Sequence, residues 1–388
     1  MSYNSESSIS SNSDSSSGSF EEIDFTGITI NSKYILLYQI GKGTFATIWL
    51  SYNLKNKDYY AIKIMSDDHY DAGEFEIESI NNIKKHKCKN ILNLKESFDF
   101  KIENEKRLCL VFELMAGCVF DVIEQGKYDK GIPLKLANKI MKQALNGLNI
   151  LHNNVRMIHT DIKPENLLIK GKSNLVKKLI KIFEKSNALK KKGNKRVNYI
   201  KKLYEDIDEE TDEDDKISDE YIDDMELVIS DFGSCYLIDE IDNSVVQTKE
   251  YRAPEVILGI PYDEKIDVWS LGCLYYEILT GDTLFDLEYN KRKKMNKSRH
   301  QLCLIESIIK PIPDELKNKG IRTILYYRRN GMLKNRNYKK INKNIKKKLD
   351  ENKFLTEQEK QDIKNKLLLM LNLDNSIRPD IKTLIGEF

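Results

Sequence analysis

The residues with the most chemistry in this 388-residue chain lie in one run, His159-Thr160-Asp161-Ile162-Lys163-Pro164-Glu165-Asn166. Asp161 can accept a hydrogen bond from a hydroxyl group and aim its oxygen at a phosphorus atom. Asn166, at the far end of the same turn, can hold a metal ion. Lys163 lies between them and can neutralise charge that develops on a phosphoryl group, where a fixed cation counts most. An Asp and an Asn at this spacing are weak evidence alone. The whole octet, with Lys-Pro-Glu inside it, is far more specific.

Three further runs supply matching chemistry. Gly41-Lys42-Gly43-Thr44-Phe45-Ala46 follows a strand-like stretch ending at Ile40 and leads into Thr47-Ile48-Trp49. Its first two glycines let backbone N–H groups approach phosphates with no side chain in the way, and Phe45 could cap the loop tip. In Ala61-Ile62-Lys63 a lysine alternates out of an apolar strand and needs a partner if it points inward. Glu76 is the natural one, because Glu74 and Glu78 would sit on other faces of the helix that follows. Asp231-Phe232-Gly233 comes after the strand-like Leu227-Val228-Ile229 and offers a carboxylate, a hard oxygen ligand that suits Mg²⁺.

In this order, and with Ala253-Pro254-Glu255 after them, these runs resemble the eukaryotic protein kinases. The resemblance implies an α+β, two-lobe fold: a small antiparallel β-sheet lobe with one helix, then a larger helical lobe. It implies ATP and Mg²⁺ as cofactors, with Asp161, Lys163 and Asn166 catalytic, and Asn166 and Asp231 on the metal. The nucleotide-binding set it implies is Ile40, Gly41, Lys42, Gly43, Thr44, Phe45, Ala46, Thr47, Ile48, Ala61, Lys63, Glu76, Glu113, Met115 and Leu168. Val111-Phe112-Glu113-Leu114-Met115 resembles the hinge, with Phe112 behind the adenine. Ala46 stands where the family carries a third glycine. Glu255 with Arg378 matches a buried pair of the helical lobe, and Asp267 matches a residue that holds the catalytic-loop backbone. Lys163 points to Ser/Thr acceptors. A pseudokinase would require a lost catalytic residue, and none is lost.

Within that family the chain resembles the CMGC group through Tyr251-Arg252 and, closer still, the SR-protein kinases. Thr160 in place of arginine, Trp49, His69-Tyr70, Gln247 to Arg252 and Leu279-Thr280-Gly281-Asp282-Thr283-Leu284-Phe285 carry this likeness. One departure matters. SR-protein kinases are expected to grip arginine-rich substrates with acidic residues of the helical lobe. Here Lys291 to Arg299 is basic, as are Arg328-Arg329 and Lys346-Lys347-Lys348, which favours acidic or already phosphorylated substrates. Thr160 cannot form a bidentate pair with phosphate, and the segment from Asp231 to Glu255 is short. Activity is therefore expected without phosphorylation of Ser234, Ser244, Thr248 or Tyr251.

The elements that must position these residues follow from periodicity. Tyr34–Ile40, Thr47–Tyr52, Tyr59–Met65 and Leu108–Phe112 read as strands; Glu74–Lys85 and Pro133–His152 read as helices. The expected organisation is a disordered Ser-rich tail at 1–33, a small lobe and hinge at 34–115, and a helical lobe at 116–388. A charged insert at about 170–226 interrupts the last. It is Lys-rich through Lys202 and acidic from Glu205 to Glu226, so it reads as a solvated spacer whose residues 172–222 could be removed. Leu175, Leu179, Ile182 and Phe183 could give it one short amphipathic helix. The net charge of +2 gives no sign of a nucleic-acid partner, and only the lysine runs would suggest one. Six scattered cysteines form no Cys-x-x-Cys pair, so neither a zinc site nor a disulfide framework is expected. No signal peptide and no membrane span is read from the sequence. The expected state is an intracellular monomer acting on protein. Its place is the cytoplasm, with Lys190-Lys191-Lys192 and Lys195-Arg196 as a candidate nuclear-localisation patch.

Overall fold

The computed structural model describes residues 23–43, 45–102, 105–124, 126–128, 130–205, 207, 217, 219–287, 296–334 and 345–388. Thr44, residues 1–22 of the Ser-rich tail, most of the acidic run and residues 291–295 of the basic segment lie outside them.

Alternating apolar residues build a six-stranded antiparallel sheet. Its strands are β1 (Thr29–Ile30), β2 (Tyr34–Lys42), β3 (Ala46–Asn53), β4 (Tyr59–Met65), β5 (Leu94–Ile102) and β6 (Glu105–Phe112), in the order β1-β2-β3-β4-β6-β5. Period-two alternation gives the sheet two apolar faces. Tyr34, Leu36, Trp49, Ile62 and Val111 bury one of them together with Phe25 and Ile30. Order therefore starts before Tyr34: residues 28 and 30 already bond or pair with β2, and Phe25 packs its ring edge on Trp49 at 5.6 Å. The run 23–30 carries four apolar side chains, Ile23, Phe25, Ile28 and Ile30, which anchor it where the Ser-rich residues before it offer none in a row.

The helix α1 (Tyr70–Lys84) crosses beneath the sheet. Gly73 lets it come close, since a Cβ there would lie 2.8 Å from Leu108 and 2.9 Å from Met65. The hinge leads to β7 (Met115–Cys118) and α2 (Val119–Glu124), and then the amphipathic α3 (Leu134–Asn149) opens the helical lobe. The short strands β8 (Met157–Ile158) and β9 (Leu167–Lys170) flank the octet His159 to Asn166. β10 (Leu227–Ile229) pairs with β9, and β11 (Tyr236–Leu237) pairs with β8.

The insert departs most from the sequence reading. Its Lys-rich half folds into α4 (Asn174–Lys185) and α5 (Asn194–Tyr204). Ser173 caps α4 by accepting the Val176 N–H at 3.1 Å. Val176, Leu179, Ile180 and Phe183 form a continuous buried stripe, joined by Ile200 and Tyr204 of α5. They cover Ile35, Leu37, Leu50, Tyr52 and Tyr59, the second face of the sheet beyond the hinge. The Phe183 ring lies 5.2 Å from that of Tyr52. Leu175 and Ile182, half of the expected stripe, are only half-buried. The lysines that suggested a solvated spacer simply occupy the outer faces of these helices. In the second half, α6 (Asp219–Asp223) buries Ile222, and Ile217 and Met225 also enter the main core.

Beyond this come α7 (Pro254–Leu258), the almost wholly buried α8 (Lys265–Thr280) and α9 (Lys297–Ile308). No described helix is long and apolar enough to cross a membrane.

Because α4 closes an apolar sheet face, removing residues 172–222 should lower the denaturant midpoint and expose a sticky surface, contrary to the spacer reading. Phe183→Ala should cost about 3–5 kcal/mol in equilibrium unfolding, whereas Lys181→Ala on the outer face should cost within about 0.5 kcal/mol.

Candidate active site

The site forms where β4, α1, the loop between β8 and β9, and the segment after β10 converge. Register puts Ile48 opposite Lys63 and Leu50 opposite Ala61, so Ile48, Ala61 and Lys63 share the inner face of the sheet. Lys63 Nζ donates to Glu76 Oε2 at 2.7 Å and reaches Asp231 Oδ1 at 3.5 Å. Burial pulls the Lys63 ammonium down, but the Glu76 and Asp231 carboxylates outweigh it and hold it above the usual lysine value. The cation is thus fixed and aimed between α1 and the end of β10.

The octet is held from below by Asp267 of α8. This buried carboxylate accepts the His159 N–H at 2.8 Å, the Thr160 N–H at 2.9 Å and His152 Nε2 at 2.8 Å. Thr160 sits at φ +68°, a left-handed conformation costly for a β-branched residue. The two amide bonds hold that turn, and Thr160 Oγ1 adds a third tie by donating to the Ser234 carbonyl at 2.7 Å. His159 packs on Phe232 at 5.6 Å and meets the Ser230 carbonyl through Nε2 at 2.9 Å. The turn that carries Asp161 and the triplet that carries Asp231 are therefore one connected body.

Asp161 is gripped from three residues, Lys163, Thr248 and Asn166. Lys163 Nζ lies 2.8 Å from its Oδ2, and the Thr248 hydroxyl donates to Oδ1 at 2.6 Å. The Thr248 N–H donates to the same oxygen at 3.1 Å, and Asn166 Nδ2 reaches Oδ2 at 3.1 Å. Burial pushes the Asp161 carboxyl up, yet the bonds from Lys163 and Thr248 win and hold it below its ordinary value. Asp161 in turn keeps Lys163 protonated: burial lowers the ammonium, and the carboxylate more than restores it. Asn166 bonds Asp161 through its amide nitrogen, which leaves its amide oxygen as a hard donor. With the half-exposed Asp231 carboxylate it makes an oxygen set of the kind that suits Mg²⁺, whose remaining ligands are waters and phosphates. Among the described residues no cluster of three His, Cys, Asp or Glu side chains is set for another metal.

Above this centre β2 and β3 form the glycine hairpin, with Lys42 opposite Thr47 and the Gly43 N–H on the Ala46 carbonyl at 2.9 Å. Gly41 and Gly43 are not in left-handed conformations, and a Cβ at Gly43 would meet nothing nearer than 3.7 Å. Their value is the open approach to the backbone. Phe45 packs on His69 at 4.6 Å. Ile40, Ile48, Ala61, Met115 and Leu168 are half-buried around the cleft, and Phe112 and Ala46 are buried behind it. Glu113 lies on the hinge, 3.8 Å from Lys95.

The model of the protein kinase domain family matches residues 34–204 and 216–386. The chain belongs to the protein kinase family. A serine/threonine-protein kinase of Acanthamoeba polyphaga mimivirus is 27% identical over 416 residues, covering 78% of this chain and 76% of its own. The serine/threonine-protein kinase SRPK of Physarum polycephalum is 31% identical over 318 residues, covering 79% and 74%. The serine/threonine-protein kinase AFC3 of Arabidopsis thaliana is 28% identical over 309 residues, covering 78% and 66%. The family in general uses ATP and Mg²⁺ on protein substrates.

Three positioning groups went unread in the sequence. Thr248 stood as part of a family-like run and as a modification site, yet its hydroxyl donates to Asp161. Gln247, at φ +69°, bonds the Ile266 carbonyl and Ser270 and accepts the Ala253 N–H at 2.9 Å. Gln301 of α9 donates to the Lys249 and Arg252 carbonyls. No local spacing flags such contacts, because each joins residues distant in sequence or a side chain to a carbonyl. The buried Glu255–Arg378 pair does form, at 2.6 and 3.1 Å, and breaking it with Arg378→Ala should cost about 3–5 kcal/mol in unfolding experiments.

The pH response follows from the Asp161 ligands. A carboxyl held below its ordinary value of 3.8 stabilises the fold above that pH and loses the contribution as pH falls through the depressed value. Thr248→Val removes one hydrogen bond to the charged form. It should move the acidic limb of the kcat/KM profile to higher pH and lower kcat by about 10- to 100-fold, the equivalent of about 1.5–3 kcal/mol.

Proposed function

We propose that the chain transfers the γ-phosphoryl group of ATP to serine or threonine hydroxyls of a protein substrate, with Asp161, Lys163, Asn166, Lys63 and Asp231 as the working set. The observation that carries this reading is the junction of two charge systems. The Lys63–Glu76 ion pair reaches Asp231, and Asp161 is gripped by Lys163, Thr248 and Asn166. Mg²⁺-ATP, when bound, supplies the transferable group and the divalent charge that neutralises its oxygens. Asn166 and Asp231 are the residues that would hold the metal, and Lys63 with the backbone of Gly41 to Thr47 would hold the phosphates. Asp161 orients an incoming hydroxyl through the proton it accepts, and Lys163 offsets negative charge beside it.

The same contacts support activity without activation-segment phosphorylation. Thr160 already ties the octet to Ser234 through its hydroxyl. Arg252 places Nε on the Val246 carbonyl at 2.8 Å and Nη2 on the Gln247 carbonyl at 2.6 Å, which ties the guanidinium to the backbone of its own segment. Thr248 is engaged by Asp161, and Tyr251 is buried with its hydroxyl on Glu277 at 2.6 Å. For substrate class, the basic character of residues 291–299 supports acidic or already phosphorylated proteins over arginine-rich ones.

Asp161→Asn should lower kcat by orders of magnitude while ATP binding, measured by calorimetry, stays within a few-fold. Equal turnover in mutant and parent would remove the mechanism. Phosphatase-treated protein from bacteria should phosphorylate a generic substrate from its first turnovers. A lag abolished by pre-incubation with ATP would reveal required autophosphorylation. An array of Arg-Ser, acidic and Ser-Pro peptides should favour the acidic set.

A further inference from the structure

Two features have no part in phosphoryl transfer. One is the N-terminal tail. Residues 1–22 contain eleven serines and four acidic residues, Glu6, Asp14, Glu21 and Glu22, with no lysine or arginine. The other is the outer face of α4. There a surface depression of about 460 Å³ is lined by Lys177, Lys178, Lys181, Ile182 and Lys185, so among the described residues every charged group lining it is an ammonium. Anions are the ligands such a lining favours.

The root of the tail is already bolted to the same helical hairpin. Asp24 pairs with Lys201 at 2.8 Å, Thr29 accepts from Arg196 at 3.4 Å, and Gly27 lies against the Val197 backbone. From Thr29 back to Asp24 the chain thus runs along α5 from Arg196 towards Lys201. At that end Tyr204 of α5 donates to the Leu179 carbonyl of α4 at 3.2 Å, which sets the end of α5 level with the middle of the lysine face. A chain of 22 residues can span up to about 70 Å, several times the length of about 18 Å for a 12-residue helix such as α4. Tethering at Ile23 keeps the tail at high local concentration beside the lysines.

We infer that the Ser-rich tail, residues 1–22, docks on the lysine face of α4 when its serines are phosphorylated. Each phosphate adds nearly two negative charges and three acceptor oxygens, which the ammonium groups can share. The modification rests on the kinase reading above. A serine Oγ–P bond forms as the bridging bond to the γ-phosphorus of ATP breaks, ADP leaves, and the hydroxyl proton passes to solvent. The docking itself rests only on the charge and placement of the two segments.

The test uses the full chain. Asp161→Asn protein, treated with phosphatase, is titrated with a labelled synthetic peptide of residues 1–22 carrying phosphoserines, and binding is read by fluorescence anisotropy. The phosphopeptide should bind at least tenfold tighter than its unphosphorylated form, and more weakly as salt rises. Lys178→Glu/Lys181→Glu/Lys185→Glu should abolish the difference, and the milder triple Gln variant should reduce it. Lys84→Glu/Lys87→Glu, on another basic surface, should leave it intact. Equal binding of the two peptides, or loss of binding in the Lys84/Lys87 variant alone, would overturn the docking site. In a second arm the parent enzyme is incubated with ATP and Mg²⁺ and its phosphosites are mapped by mass spectrometry. Parent protein with a phosphorylated tail should no longer take up the free phosphopeptide, because its own tail fills the face. Undiminished uptake would overturn the choice of the chain's own tail as occupant. Phosphate found elsewhere but not in residues 1–22 would overturn self-modification while leaving phosphoryl transfer standing. No phosphate anywhere would count against the kinase reading, and the peptide arm would still decide the docking.

Discussion

Everything at the candidate site hangs on one buried carboxylate. Asp267 is fully shielded from water and takes three donors, from the His159 and Thr160 amides and from His152. A charge in such a place is tolerable only because it is so fully hydrogen-bonded. In return it imposes a left-handed threonine at position 160, and that turn aims Asp161 outward while Asn166 folds back to meet it. The strain at Thr160 is compensated within the same network, since its hydroxyl reaches the Ser234 carbonyl. The site is therefore preorganised by the helical lobe, and the β-lobe adds Lys63 from above.

The second constraint is the two-sidedness of the small sheet. Its strands alternate apolar residues on both faces, so both must be covered. One end of the inner face belongs to α1 and the cleft. The outer end would lie open in a minimal domain, and here α4 and α5 close it. The insert thus buys a packed lobe with chain that composition alone would assign to solvent. The N-terminal run 23–30 seals the opposite face and also clasps α5, so the two segments that flank the core in sequence meet in space.

The segment between Asp231 and Glu255 is held by hydrogen bonds within itself and to α8 and α9. Gln247 bonds the Ile266 carbonyl and Ser270, Gln301 bonds the Arg252 carbonyl, and Arg252 bonds the Gln247 carbonyl. Such bonds are individually modest, about 1 kcal/mol net each, but they are present without any modifying enzyme. At the cleft the charges are those of Asp161 with Lys163, and of Lys63 with its partners Glu76 and Asp231.

The sequence by itself determined the chemistry. The octet, the lysine strand, the glycine hairpin and the Asp-Phe-Gly triplet are local runs whose residue types imply their work, and period-two or 3.6-residue patterns place most of them on strands, turns or helices. It also marked Glu76 as the face-correct partner of Lys63, while Glu255 and Arg378 were expected as a buried pair only through the likeness to protein kinases. What only the tertiary structure decided are relations between distant residues. Thr248 is 87 positions from Asp161, and nothing near it in sequence announces a hydrogen bond there. The insert was misread because its lysines dominate composition, while the stripe Val176, Leu179, Ile180 and Phe183 gains meaning only when an uncovered sheet face lies opposite. Burial is a property of two surfaces, and a single sequence shows one of them at a time.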